Sequence, residues 1–217
     1  MNLILAIDTS AGTSVALVEN GNVRAEHNVF DTMKHAELIG QSIETVLATA
    51  SVHPSQIMAV VAGRGPAPFT GLRVGIAAAT MFSAGSGSKL FGGVSLDAIA
   101  LAALPGLKVS ATEPLLVTTD ARRKEVYWAL YTGLSEHGVP IRVDGPGVMK
   151  PAELEEYLVD RNVHPVTTDI PVSAANLALL AEALLRAGTI SEDVTALYLR
   201  AADAVEPKAR IGKAVSG

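Results

Sequence analysis

Ile7-Asp8-Thr9-Ser10-Ala11-Gly12-Thr13-Ser14 sets a carboxylate among small hydroxyl residues and a glycine. Such a turn can hold a phosphate. Its hydroxyls and amides donate to the phosphate oxygens, and Asp8 takes the cation side. The same residues also describe a tight turn closed by the Asp8 side chain on its own backbone. Spacing alone leaves both readings open.

A second stretch runs from Gly63 through Arg64, Gly65, Pro66, Ala67, Pro68, Phe69, Thr70, Gly71 and Arg73 to Gly75. It joins an apolar run to a helix pattern. Thr70 is placed to cap that helix, whose first amides can meet an anion. Arg64 and Arg73 would add charge. The stretch lacks the lysine and spacing of a nucleotide-binding P-loop, so that label is rejected. The structural alternative is a rigid strand-to-helix connection whose glycines allow close packing.

His35 lacks the second histidine, three or four positions on, that a metal site on one helix face requires, since Leu38 and Ile39 stand there. His27, His53, His137 and His164 lie on other segments and form no ligand pattern. The chain has no cysteine, which excludes thiol chemistry and disulfides. Asp120-Ala121-Arg122-Arg123-Lys124-Glu125 is a short basic run that reads as a phosphate contact or as a solvated turn. No Ser/His/Asp arrangement is recognisable.

These residues need elements to position them. Apolar runs at 3–7, 14–18 and 22–29 predict three antiparallel strands, with Asn20-Gly21 as a two-residue hairpin turn. Helical spacing predicts a helix at 35–50 and a second at 71–85, flanking a buried strand at 57–62. A strand at 89–94 and a helix at 96–104 capped by Ser95 follow, and Pro105-Gly106 ends that half. The pattern then restarts. Strands are expected at 115–119, 125–131 and 140–143, with helices from Pro151 to 160 and over 177–185. Ser173 or Asn176 starts the last helix and Gly188 closes it. We therefore expect an α/β chain in two related halves, 1–106 and a smaller 107–217. The last segment is expected to pack back on the first half, and the tail 208–217 to fray.

Composition sets the outer limits. Of 217 residues 49% are hydrophobic, 4% aromatic and 18% charged, so the chain holds a large aliphatic core with apolar surface to spare. No run approaches the roughly 18 apolar residues of a membrane span. A net charge of −5 argues against a stand-alone nucleic-acid binder. With no leader pattern, the cytoplasm is the expected location.

Residues 7–18, 35–39, 63–79, 93–100, 120–131 and 196–207, in that order, resemble the TsaB family of threonylcarbamoyladenosine biosynthesis proteins. The resemblance spans nearly the whole chain and rests most on the Phe69-Thr70-Gly71-Leu72-Arg73 and Asp120-Ala121-Arg122 stretches. It implies the two-lobed actin-like, sugar-kinase/Hsp70 (ASKHA) fold, each lobe a mixed sheet with flanking helices and the second lobe reduced. It implies a non-catalytic subunit in the synthesis of N6-threonylcarbamoyladenosine at position 37 of tRNAs that read ANN codons. The implied partners are a TsaD-like catalytic subunit and a TsaE-like ATPase, with a homodimer when the chain is alone. ATP and magnesium would belong to the complex, and tRNA would be contacted mainly through the partners. Asp8, Thr9 and Ser10 would then be a vestigial phosphate loop. The family loop reads Gly-Pro-Gly-Ser-Phe-Thr-Gly, whereas Ala67 and Pro68 stand here, which favours a structural role.

The partner surface is expected on helices 35–50 and 71–85, with His35, Leu38, Ile39, Leu72, Ile76 and Met81 in or near the seam. Two other activities fit the same residues less well. An autonomous small-molecule phosphotransferase would use Asp8 but lacks a second phosphate loop. A peptidase would need paired metal ligands or a nucleophile triad.

Overall fold

The computed structural model describes residues 3–29 and 35–200. Strands β1 (Leu3–Asp8), β2 (Thr13–Glu19) and β3 (Asn22–Val29) form an antiparallel meander, and β4 (Ala59–Gly63) and β5 (Lys89–Gly93) add in parallel. The sheet order is β3-β2-β1-β4-β5. β1 and β4 are buried at every residue. Their unbroken apolar runs are what a strand covered on both faces requires. The expected strand at 57–62 starts two residues later, because Ile57 donates its amide back to Pro54 to close a 3-10 turn at Pro54–Gln56.

One face of this sheet is covered by α1 (His35–Ala50) and α2 (Phe69–Ser86), through Ile39, Val46 and Ala79 among others. The opposite face is covered by α5 (Ala174–Ala187), whose Leu177 and Leu180 are fully buried. Burying each leucine contributes about 2–3 kcal/mol. Ser173 caps α5 by accepting from the Asn176 amide, and Gly188 ends it in the left-handed region at φ 68°.

The second sheet has the order β8-β7-β6-β9, from β6 (Leu115–Asp120), β7 (Val126–Leu134), β8 (Pro140–Met149) and a two-residue β9 (Val166–Thr167). The third of these is much longer than the 140–143 expected from sequence. Alternate residues of β6 point to different layers: Leu115 and Val117 pack under α3 (Ser95–Ala103), and Leu116 packs under α4 (Pro151–Val159). Helix α3 therefore lies between the sheets, giving Ala98 to the first core and Leu96, Ile99 and Ala100 to the second. The tail at 208–217 and residues 201–207 lie outside the described residues. Among the described residues no helix is long and apolar enough to cross a membrane.

Candidate functional site

The Asp8 turn sits where β1 ends, beside the first turns of α2 and α3. Its carboxylate is buried and committed at both oxygens. Oδ1 accepts from the Ser10 amide at 2.7 Å and from the Ser10 hydroxyl at 2.5 Å. Oδ2 accepts from the Ser95 hydroxyl at 2.6 Å. Ser95 was expected to cap α3; Val94 takes that position instead, because the Ser95 hydroxyl is used on Asp8.

Thr9 is equally engaged. Its Oγ1 donates to the Gly71 carbonyl at 2.8 Å and accepts from the Gly75 amide at 3.1 Å. Those two groups are four residues apart on α2, so the hydroxyl bridges one step of the helix ladder. The approach needs the absence of a side chain: a Cβ at Gly75 would run into Thr9, and one at Gly63 into the Asp8 carboxylate. Thr70 does not cap α2. The helix begins at Phe69 behind Pro68, whose φ of −59° already suits a helix start, and no side-chain cap is made.

Ala11, Gly12, Thr13, Ser14, Asn28 and Val172 close the space above Asp8 to about 10 Å³, room for one water. Ser14 Oγ donates to Asn28 and accepts from the Ala174 amide, tying the turn to α5. The described residues do not fit a nucleotide phosphate with its magnesium: among them no donor set converges on a space large enough to hold one.

Arg64 and Arg73 are turned elsewhere. Arg64 Nε donates to the Thr195 carbonyl at 2.8 Å, and its guanidinium pairs with Asp193 at 2.7 Å. The Arg64 carbonyl accepts from the Leu197 amide. Arg73 donates to the Tyr198 hydroxyl at 2.8 Å and lies over that ring. Both arginines thus hold the segment 193–198, a role that local sequence spacing does not reveal.

The expected seam residues divide between two environments. Ile39 and Leu72 are buried in the chain's own core, at 9% and 0% exposure. Leu38 is half-buried, and Ile76 is half-buried with its side chain packed on the core between the first sheet and α1 and α2. Met81 is 72% exposed, and Ala77, Thr80 and Ala84 share its open face of α2. The side chain of His35 lies outside the described residues. Among those described, no three His, Cys, Asp or Glu residues group as a metal site.

A polar cluster that sequence reasoning missed joins α3 to the second sheet. Tyr131 Oη and Arg142 Nη1 both donate to Asp97 Oδ1, at 2.6 and 2.9 Å. Burial raises the Asp97 carboxyl from its ordinary value against the lowering effect of Arg142. Burial and the facing Asp97 hold the Tyr131 phenol well above its ordinary value, so it stays protonated as the donor.

Two mixed sheets with flanking helices, joined through a shared helix, define an actin-like ATPase fold. A family model described as "TsaD: tRNA N6-adenosine threonylcarbamoyltransferase" matches residues 31–200. The chain is 36% identical over 156 residues to the Escherichia coli K12 protein named "tRNA threonylcarbamoyladenosine biosynthesis protein TsaB", covering 71% of this chain and 65% of that one. It is 38% identical over 160 residues to an uncharacterized protein of Mycobacterium leprae, covering 71% of this chain and only 41% of the relative. A crystal structure of a Pseudomonas aeruginosa protein described as similar to the peptidase YeaZ superposes with a TM-score of 0.76 at 25% identity, over 92% of this chain and 100% of that one. The chain belongs to the TsaD family and, within it, to the TsaB group.

Proposed function

We propose that this chain is the non-catalytic subunit of a cytoplasmic assembly that forms N6-threonylcarbamoyladenosine at position 37 of tRNAs reading ANN codons. It holds and supports a TsaD-like catalytic subunit, a TsaE-like ATPase joins them, and the partners make most of the contact with tRNA. The observation that carries this reading is the Asp8 turn. In a working phosphate site the carboxylate and hydroxyls would face a ligand. Here Ser10 and Ser95 occupy Asp8, and α2 occupies Thr9. That supports a turn kept as a brace, with ATP and magnesium belonging to the complex.

The open face of α2 supports the partner contact. Small residues Ala77 and Ala84 allow close helix approach, and Met81 offers an adaptable apolar knob. In isolation the same face would pair with a second copy.

Reconstitution tests the proposal. tRNA, threonylcarbamoyl-adenylate, the TsaD-like subunit and the TsaE-like ATPase are combined with and without this chain. Modification is expected to collapse when it is omitted. Full-rate modification without it would refute the proposal, and tight Mg-ATP binding by the isolated chain would favour an autonomous phosphotransferase.

A further inference from the structure

Among the described residues, two tight hairpin turns have both central residues at positive φ. At the β2–β3 turn they are Asn20 and Gly21, at 49° and 78°. These are the residue types that tolerate the left-handed region. At the β6–β7 turn the Glu125 amide donates to the Arg122 carbonyl, and the two residues between are Arg123 and Lys124, at 56° and 62°. Arg122 itself is at 62°. Three successive side-chain-bearing residues in this region are disfavoured. The same fold shows with Asn20-Gly21 that the relaxed solution is accessible to it.

What the strained solution provides is charge. Arg122, Arg123 and Lys124 are all exposed at the tip of the hairpin. The acidic residues at its base are matched, Asp120 by Arg122 at 3.4 Å and Glu125 by Arg200. Among the described residues the turn thus gathers four basic side chains, Arg122, Arg123, Lys124 and Arg200, around two acidic ones, on a chain whose net charge is −5. A local breach of turn chemistry that concentrates cations on an otherwise acidic molecule points to a ligand rather than to stability.

We propose that the Arg122–Lys124 turn contacts the phosphate backbone of RNA, so that this subunit adds its own anchor for the tRNA held by its partners. The inference rests on the proposed role in tRNA modification. It assigns no base specificity, since side chains at a loop tip that meet phosphates position the nucleic acid without reading its sequence.

The test compares R123N/K124G, which restores favourable turn residues and removes the charge, with the charge-preserving R123K/K124R. Both are placed in the complete assembly. The KM for tRNA and kcat are followed between 50 and 200 mM salt, alongside thermal melting of the free chain and recovery of the complex. R123N/K124G is expected to melt roughly 2–6 °C higher. It should raise the KM roughly tenfold at low salt with kcat kept, and reduce the salt slope by about 2. R123K/K124R should behave as the native chain. An unchanged KM and slope for R123N/K124G would overturn the proposal, and so would loss of the complex, which would make the turn a protein contact. Full modification in the assembly lacking the whole chain would instead remove the functional reading on which the proposal rests.

Discussion

Thr9 reaches into α2 at Gly75, accepting that residue's amide at 3.1 Å while donating to the Gly71 carbonyl one helical step below. This fixes the end of β1 to the first turns of a helix in the layer that covers the sheet. It also reverses the usual effect of glycine in a helix.

Gly75→Ala should destabilise the chain by about 2–4 kcal/mol, because the new Cβ displaces a buried hydroxyl from two hydrogen bonds. Gly85 lies on the same helix with nothing near its would-be Cβ. Gly85→Ala should therefore stabilise by about 0.5–1 kcal/mol. Urea unfolding of both variants reads the opposite signs. Stabilisation by Gly75→Ala would show that Thr9 does not brace α2.

Arg64→Ala should cost about 1.5–3 kcal/mol, since the guanidinium is mostly buried and makes charge-assisted bonds to Thr195 and Asp193. Arg64→Lys should recover little, because one ammonium cannot reproduce the two-sided grip. Hydrogen exchange at the Leu197 amide, bonded to the Arg64 carbonyl, should accelerate in the alanine variant. Unchanged protection there would separate the side chain from the holding of segment 193–198.

Asp97 predicts a pH dependence of stability. Its carboxyl titrates above its ordinary 3.8 because burial disfavours the charge. The folded chain therefore keeps a proton that the unfolded chain has released. Its contribution is complete below about 3.8 and is lost as pH rises through the folded value. Asp97→Asn should remove this part of the slope, so the native and variant stability curves should diverge as pH rises from 4. Parallel curves would mean that Asp97 is charged in the folded chain throughout.

Met81→Glu should abolish recovery of the complex without lowering stability by more than about 0.5 kcal/mol, since Met81 is 72% exposed. Ile76→Glu is the poorer probe, because Ile76 packs on the core between the first sheet and α1 and α2, and a charge there would cost folding as well as binding. Co-purification that survives Met81→Glu would move the seam off this face of α2.

The elements were legible where the signal is local. α1 matches the expected 35–50, and the Asn20-Gly21 hairpin forms in the expected register, with Glu19 opposite Asn22. The candidate site was legible only in part. Asp8, Thr9 and Ser10 do cluster, but their partners Ser95, Gly71 and Gly75 come from distant segments, and spacing along the chain carries no signal for such contacts. The same limit hid Arg64's grip on Asp193 and Asp97's on Tyr131. Ile39 and Leu72 looked available for a partner because periodicity identifies an apolar face without revealing whether the chain itself covers it.

The packing of α5 bears on the birth of the protein. The sheet face made by Ile4, Ala6, Ala16, Val18, Ala59 and Val61 is covered by the helix that begins at Ala174. A nascent chain emerging from the ribosome holds most of that apolar face bare while the second sheet is synthesised, so this half cannot close until α5 itself has been made. A chain truncated before Ser173 should bind a hydrophobic dye and depend on chaperones to stay dispersed. A truncated chain that remained monomeric and dye-free would show that something other than α5 can shield the face during synthesis.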